Sequence, residues 1–252
     1  MERTGVTIRV EGLTKHFGKV AAVQDLSFTA GPGVITGFLG PNGSGKTTTL
    51  RCLLGLVRPT GGEAVIGGRP YARLADPLRT AGASLEASNF HPARSGRAHL
   101  RIQCRTAGIP QSRVDDVLEL TGLTDAANRA TRGYSLGMRQ RLNLATALLG
   151  DPSVLVLDEP SNGLDPAGIA WLRGFLRRLA DEGRTVLVSS HILSEVQQTV
   201  DRVVVVYRGR GVAEGTLGEL DPEGEGLERV FLRLTSDTPA EPAARTSGRE
   251  DR

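Results

Sequence analysis

Long apolar runs are missing from this 252-residue sequence. A helix needs about 18 to 20 consecutive apolar residues to cross a bilayer, whereas apolar stretches such as residues 153–157 and 203–207 have the length of single strands. We therefore expect no direct membrane span and no pore formed by this chain alone. The first residues also lack the charged and then apolar pattern of a secretory signal, which predicts a cytoplasmic protein.

Cysteine and histidine are scarce, with two and four residues respectively. Cys52 and Cys104 form no C-x-x-C pair and the histidines are not clustered, so the sequence predicts no zinc site and two small core residues. The net charge of +3 is spread along the chain and forms no basic stripe of the kind that nucleic-acid-binding proteins carry. Composition alone does not exclude that class.

The apolar pattern predicts alternating strands and helices. Alternation at Val6, Ile8 and Val10, and again at Leu26 and Phe28, predicts an N-terminal antiparallel β layer. Apolar residues 34–39, 154–157, 185–189 and 203–207 predict buried strands, with a turn at residues 208–209 after the last. Helices are predicted at residues 47–56, 166–183 and 192–199, so the main sheet should be mostly parallel. The second of these helices has Asp165 as its predicted N-cap and Gly183 as its predicted C-terminal cap. Helical patterns dominate residues 87–150, which we interpret as an inserted helical lobe.

The first buried strand leads into a glycine-rich loop that fits G-x-x-x-x-G-K-[ST] and is followed by a helix. In such a loop, inward N–H groups surround phosphate oxygens, the lysine reaches the β and γ phosphates, and the last hydroxyl binds Mg²⁺. The sequence therefore predicts a site for ATP and Mg²⁺ in a P-loop NTPase core of the α/β class. The predicted nucleotide-binding residues are Gly40, Pro41, Asn42, Gly43, Ser44, Gly45, Lys46, Thr47 and Thr48.

Lysine itself is rare, since only three of the 31 Lys and Arg residues are lysines. Lys46 has thus remained lysine where arginine fills nearly every other basic position. A compact ammonium between two phosphates cannot be replaced by a planar guanidinium without disturbing the loop. This strengthens the phosphate-binding interpretation over that of a simple glycine-rich turn.

Two further strand ends carry polar residues suited to phosphate chemistry. Asp158 and Glu159 follow the strand at residues 154–157, and His191 follows the strand at residues 185–189. In α/β folds ligands bind at the carboxyl ends of the strands. We expect Asp158 to hold Mg²⁺, Glu159 to orient or deprotonate the attacking water, and His191 to sense and stabilise the γ-phosphate.

These motifs, their order and residues 134–141 (Tyr-Ser-Leu-Gly-Met-Arg-Gln-Arg) together resemble the ATP-binding subunit of ABC transporters. Drug, antibiotic and peptide exporters are the most similar subgroup, and the resemblance covers residues 6–207. The family signature is L-S-G-G-Q, and here Tyr134, Leu136 and Met138 replace Leu, Gly and Gln. Ser135 keeps the hydroxyl, and Gly137 keeps the close backbone approach at a helix N-terminus.

The resemblance also implies how the site is completed. Ser135 and Gly137 would face the ATP of a second subunit, in a homodimer or a heterodimer, and Asp165 would lie in the segment that links the two sites. Phe17 would stack on adenine, with His16 as the alternative. Glu86 stands where the family has a glutamine that contacts Mg²⁺, so it is a third predicted metal-binding residue beside Thr47 and Asp158.

The implied function is ATP hydrolysis that drives a separate transmembrane permease, with residues near Asn89, Phe90 and His91 receiving it at the inner face of the membrane. Residues 1–235 would form the ATPase domain and residues 236–252 a disordered tail. Two alternatives are a cytosolic ABC ATPase acting on nucleic acid or ribosomes, and a nucleotide-binding regulatory subunit without catalysis. No nucleic-acid partner is expected, because the long coiled-coil insertions or second ATPase domain usual in that class are absent.

Overall fold

The computed structural model of the chain describes residues 5–85 and 90–236. Its strands are β1 (Ile8–Phe17), β2 (Val20–Ala30), β3 (Ile35–Leu39), β4 (Gly61–Ile66), β5 (Ala81–Ser84), β6 (Val154–Asp158), β7 (Thr185–Ser190), β8 (Arg202–Tyr207) and β9 (Arg210–Thr216). Its α-helices are α1 (Lys46–Leu53), α2 (Pro77–Thr80), α3 (Gly96–Ala107), α4 (Arg113–Leu120), α5 (Leu136–Ala147), α6 (Pro166–Asp181), α7 (Leu193–Gln197), α8 (Leu217–Leu220) and α9 (Leu227–Ser236).

The strands form two sheets, as the sequence predicts. The small sheet is antiparallel and has the order β2-β1-β4. The large sheet has the order β5-β6-β7-β3-β8-β9, and its strands are parallel except β9, which runs antiparallel to β8. This confirms an α/β fold with a mostly parallel sheet and an N-terminal antiparallel layer.

The large sheet is apolar on both faces because successive side chains of a strand point to opposite sides. On β8, Val203 and Val205 belong to the cluster that contains the helices α3 to α6, whereas Val204 and Val206 belong to the cluster that contains the small sheet and α1. The rings of Phe28 and Phe38 stack across the two sheets with centroids 5.0 Å apart. Both faces are therefore covered, as expected for a parallel sheet.

Helix α3, the first helix between β5 and β6, has clear start and stop signals. The Ser95 side chain accepts a hydrogen bond from Ala98 N and caps α3, which ends at Gly108 in the left-handed conformation. The Arg113 guanidinium donates to the carbonyl oxygens of Leu148 and Leu149, after the end of α5. Both cysteines are buried, as predicted, and burial raises the pKa of each thiol.

Helix α7 is shorter than the predicted helix at residues 192–199. Asp201 explains the early end, because its backbone N donates to Ile35 O at 2.9 Å while its Oδ2 accepts from Ile35 N at 2.8 Å. The chain is thus held against β3 and must leave the helix before β8 begins. No helix among residues 5–85 and 90–236 has both the length and the apolar character that a membrane span requires.

Strands β4, β5 and β9 and helices α2, α8 and α9 were not predicted. The turn at Arg208 and Gly209 was, and both residues have positive φ, 49° and 79°. Strand β9 lacks the alternation of apolar residues that would reveal it, and it exists because it pairs with β8. Residues 237–252, most of the predicted disordered tail, lie outside the described residues.

Candidate functional site

The carboxyl ends of three neighbouring parallel strands carry the predicted site. In the register of the sheet, Asp158 on β6 lies beside Ser189 on β7, and Leu39 on β3 lies beside Ser190 on β7. The phosphate loop (residues 40–47) follows β3, Glu159 follows β6 and His191 follows β7. The fold therefore brings together residues that are far apart in the sequence.

Two backbone contacts hold the phosphate loop in place, and the first of them requires glycine. Gly45 has φ 102°, and a Cβ atom there would lie 2.4 Å from the carbonyl oxygen of Ala22. Only glycine fits this position without displacing β2. Gly209 N donates to Ser44 O at 2.9 Å, so the β8–β9 turn supports the loop from a second direction.

Lys46 is the first residue of α1 and is 6% exposed. Its Nζ donates to the carbonyl oxygens of Gly40 at 2.7 Å and Pro41 at 3.3 Å, and it lies 3.4 Å from Glu159 Oε1. The ammonium is thus surrounded by oxygen atoms and directed into the loop. Phosphate oxygens are acceptors of the same type with more negative charge, so the site suits a polyphosphate.

Asp158 is buried and bonded on both carboxylate oxygens. Thr47 Oγ1 donates to Asp158 Oδ2 at 2.7 Å, and Ser189 Oγ donates to Asp158 Oδ1. Carboxylate and hydroxyl oxygens are ligands that Mg²⁺ prefers. Thr47 and Asp158 are therefore already adjacent in the arrangement that a shared metal ion requires.

Glu159 has φ 49°, the left-handed region that a non-glycine residue seldom adopts. Its backbone N donates to Ser189 Oγ at 3.0 Å and to Ser189 O at 3.3 Å, which holds the conformation. His191 Nδ1 lies 2.8 Å from Glu159 Oε2. The strained backbone aims the carboxylate at Lys46 and His191, where a reacting phosphate would lie.

A cavity of about 200 Å³ lies over the loop and is lined by Ala22, Asn42, Gly43, Gly45, Lys46, Thr47, Thr48 and Glu159. Among the described residues, Ser44 Oγ is buried within the loop without a hydrogen-bond partner, and no side chain caps the first turn of α1. These free polar groups, the Lys46 ammonium and the Thr47–Asp158 pair fit a triphosphate with Mg²⁺.

Phe17 lies at the end of β1, and its partner strand β2 carries Ala22 to the phosphate loop. The side chain is 50% exposed, and Lys15 Nζ lies 4.7 Å from the ring centroid. An exposed ring on the hairpin that reaches the loop can stack on a base. His16 pairs with Ala21 in the same hairpin and is also exposed.

Ser135, Gly137 and Asp165 lie together at another place. Ser135 caps α5 by accepting a hydrogen bond from Met138 N at 3.2 Å, and Asp165 caps α6 by accepting from Gly168 N at 2.7 Å. All three line a cleft of about 380 Å³. The predicted residues thus divide into two groups, one at the phosphate loop and one at this second cleft.

Comparison with known proteins decides the family. The sequence profile of the family described as ABC transporter matches residues 23–162. The chain belongs to the ABC transporter family.

This ABC subunit is similar in sequence to known transport ATP-binding proteins and in structure to a solved one. The bacitracin transport ATP-binding protein BcrA of Bacillus licheniformis is 42% identical over 210 residues, which are 82% of this chain and 69% of the relative. The lantibiotic transport ATP-binding protein SrtF of Streptococcus pyogenes is 34% identical over 224 residues, 89% of this chain and 95% of the relative. A solved ATP-binding subunit of an ABC transporter superposes with a TM-score of 0.80 at 26% identity, covering 90% of this chain and 99% of that chain.

The departures of this ABC subunit from the family signature have structural explanations. Tyr134 is buried, and its hydroxyl donates to Ala126 O at 2.8 Å. Burial raises the pKa of this phenol. A Cβ atom at Gly96 would lie 2.5 Å from the Tyr134 hydroxyl oxygen, so the first residue of α3 must be small. Met138 is partly buried and packs against the helical core cluster to which Tyr134 belongs.

Sequence reasoning missed three contributors to this ABC site, namely Ser189, Ala22 and Gly209. Ser189 bonds both Asp158 and the Glu159 backbone. Its contact with Asp158 depends on the register in which β6 and β7 pair, and that register has no signal in the sequence. Ala22 and Gly209 act through backbone atoms, which a sequence pattern does not reveal. Glu86 and Asn89 lie outside the described residues.

Proposed function

We propose that this ABC subunit binds and hydrolyses Mg-ATP, pairs with a second ATPase subunit, and drives a separate membrane permease that exports a drug, antibiotic or peptide. The carrying observation is that Lys46 and Glu159 line one cavity at the ends of three strands. Asp158 is hydrogen-bonded to Thr47, which also lines this cavity, and His191 contacts Glu159. A regulatory subunit that only binds nucleotide would not need the carboxylate and imidazole of Glu159 and His191 in mutual contact.

Each of these residues can have its own role in ATP hydrolysis. In that reaction a water molecule attacks the γ-phosphorus and loses its proton, and ADP and phosphate are released. Glu159 would orient the water and accept the proton. In the structure the Lys46 ammonium contacts Glu159 Oε1; with a triphosphate bound, phosphate oxygens would take over that ammonium and leave Glu159 for the water. His191 would hold the carboxylate through Oε2 and contact the γ-phosphate.

Thr47 and Asp158 would hold Mg²⁺, which neutralises charge on the β and γ phosphates when bound. We propose that Glu86, which lies outside the described residues, belongs to the same shell and tunes turnover, because its charge would then be near the γ-phosphate and Glu159. If Glu86→Ala left ATPase activity and its Mg²⁺ dependence unchanged, Glu86 would be an ordinary loop carboxylate without this role.

The second cleft suits contact with another subunit. Ser135 and Gly137 lie there at the N-terminus of α5, where the partial positive charge favours an anion. We propose that this cleft faces the nucleotide on a second ATPase subunit, identical or different, and that Asp165 links the two sites. Each complete site would then need two chains, and a monomer would hydrolyse ATP poorly.

Transport is favoured over action on nucleic acid or ribosomes because the bacitracin and lantibiotic relatives are transport proteins by name. The chain would lie in the cytoplasm at the inner face of the membrane, bound to the permease near Asn89, Phe90 and His91. In the described part of this surface, the Phe90 ring packs edge-on against His99 with centroids 4.9 Å apart. We further propose that residues 1–235 form the ATPase domain, with the helical subdomain inserted at about residues 87–150 and residues 236–252 as a tail.

One experiment tests the nucleotide and another the partner. The full chain should bind ATP in the presence of Mg²⁺, and Lys46→Ala should remove that binding; a parent protein without measurable affinity for Mg-ATP overturns the proposal. A tagged chain purified from detergent-solubilised membranes should bring a multi-span protein with it. Recovery with ribosomes or DNA and without a multi-span protein would instead support the cytosolic alternative.

A further inference from the structure

Leu136, the first residue of α5, carries a large apolar side chain that is 47% exposed. It packs directly on Gly163, because a Cβ atom added at Gly163 would lie 2.0 Å from Leu136 Cδ2 and 3.0 Å from Leu136 Cγ. The leucine side chain thus occupies the space that a side chain at residue 163 would take. The large side chain at residue 136 therefore fits only because residue 163 has no side chain.

Two further residues of α5, Gly137 and Gln140, also lie against residues 162–164. A Cβ atom at Gly137 would lie 3.5 Å from Leu164 Cδ2, which is ordinary van der Waals distance. Gln140 is buried, and its Nε2 donates to Asn162 O at 3.4 Å. The start of α5 is therefore held against residues 162–164 by the packing of Leu136 on Gly163 and by the hydrogen bond of Gln140.

The segment that receives these contacts begins at Glu159. Asn162 N donates to Glu159 O at 3.2 Å, and Leu164 N donates to Ser161 O at 3.0 Å, so the chain forms two consecutive turns. Glu159 and Gly163 both have left-handed backbone angles, φ 49° and 72°. A residue such as Glu159 keeps this conformation only when its surroundings hold it. Ser189 holds it on one side, and the turn up to residue 164 holds it on the other.

We propose that Leu136 is a positioning residue for Glu159 and acts through Gly163. When α5 moves relative to the sheet, the leucine side chain pushes on the turn at residues 162–164 and so shifts the backbone that carries the Glu159 carboxylate. This inference rests on the proposed function, because it gives Glu159 a role in hydrolysis. It assigns the leucine in the altered signature to a contact inside its own chain.

A double-mutant cycle tests the pair, with Leu136→Ala, Gly163→Ala and both changes together in the full chain. Gly163→Ala alone should lower kcat for ATP hydrolysis by roughly tenfold, with KM for ATP changed less than about threefold, because the new methyl group meets Leu136 and displaces the turn. In the Leu136→Ala background the same change should cost less than about threefold. The left-handed backbone penalty of alanine at residue 163 is present in both backgrounds and cancels.

Gly174→Ala provides the matched control. Gly174 lies in the middle of α6, and a Cβ atom there meets nothing within 4 Å. Its effect on kcat should therefore be the same in the parent and in the Leu136→Ala background. Thermal unfolding of all variants separates loss of folding from loss of positioning.

Two results would overturn this inference. In both cases ATP hydrolysis by the parent protein would leave the proposed function intact. One is an additive cycle, in which Gly163→Ala costs the same kcat factor in both backgrounds. The other is coupling seen only in the unfolding temperature with kcat unaffected, which would make the contact merely structural. A parent that neither binds nor hydrolyses ATP removes both the proposed function and this inference.

Discussion

Glu159 and His191 are joined by a contact of 2.8 Å between Glu159 Oε2 and His191 Nδ1, while the other carboxylate oxygen of Glu159 lies 3.4 Å from Lys46 Nζ. Side chains from two other loops therefore fix both oxygens of one carboxylate. The direction of the carboxylate is set by its partners as well as by its left-handed backbone. This is the arrangement that a water-orienting base requires.

Glu159→Gln should separate ATP binding from hydrolysis. The amide keeps the size of the side chain but cannot accept a proton, so kcat should fall about 100-fold or more while ATP affinity stays within a few-fold. The variant should also accumulate as an ATP-bound dimer, measured by size-exclusion chromatography with Mg-ATP. Activity equal to that of the parent would rule out Glu159 as the base.

Asp158→Asn should raise the Mg²⁺ concentration needed for half-maximal ATP hydrolysis. The carboxylate that bonds Thr47 Oγ1 at 2.7 Å loses its charge, and a neutral amide is a poorer ligand for a hard cation. Titration of activity with Mg²⁺ at fixed ATP measures the change, and chelation with EDTA should abolish activity in the parent. Ser189→Ala is the control for the Mg²⁺ requirement alone, since it leaves the charge of Asp158 in place while removing the hydrogen bonds of Ser189 Oγ with Asp158 and with Glu159 N. An equal Mg²⁺ requirement in Asp158→Asn and the parent would contradict the assignment.

The parts of this molecule that the sequence predicts are those with a repeating or spaced signal. The phosphate loop, the acidic pair after β6 and the apolar strands could be located because spacing and periodicity mark them. Asp165 and Gly183 could be placed as helix ends for the same reason, and Gly183 does have φ 85° at the end of α6.

Contacts that depend on strand register or on helix packing could not be predicted from the sequence. Ser189 reaches Asp158 only because β6 and β7 pair in one particular register. Leu136 meets Gly163 only because α5 packs beside the turn after β6. Strand β9 similarly depends on pairing with β8 and carries little pattern of its own. Local pattern thus located the candidate site residues, while packing determined which other residues support them.

Phe17→Ala should weaken ATP binding by about 5- to 150-fold, which corresponds to the roughly 1 to 3 kcal/mol that stacking contributes per base. Phe17→Trp should keep the affinity, because any flat aromatic face can stack. Binding of inorganic triphosphate should be the same in all variants, since it has no base. If His16→Ala weakens ATP binding and Phe17→Ala does not, the stacking role belongs to His16.

His99 should make folding stability depend on pH in the weakly acidic range. Burial lowers the pKa of His99, and the nearby positive charge of Arg94 lowers it further. The unfolded chain, with an ordinary histidine pKa near 6.5, then takes up a proton at pH values where the folded chain does not. Because stability rises with pH wherever the unfolded state binds more protons, this contribution is present above about pH 6.5 and is lost as the pH falls below it.

His99→Gln removes the titrating group while keeping a polar side chain beside Phe90. The variant should therefore lose less stability than the parent between pH 7.5 and pH 5.5, measured as the free energy of unfolding in urea at both values. Other groups that titrate in this interval are common to both proteins, so the difference between the two declines belongs to residue 99. An identical decline in the variant would show that His99 does not contribute to the acid sensitivity of the fold.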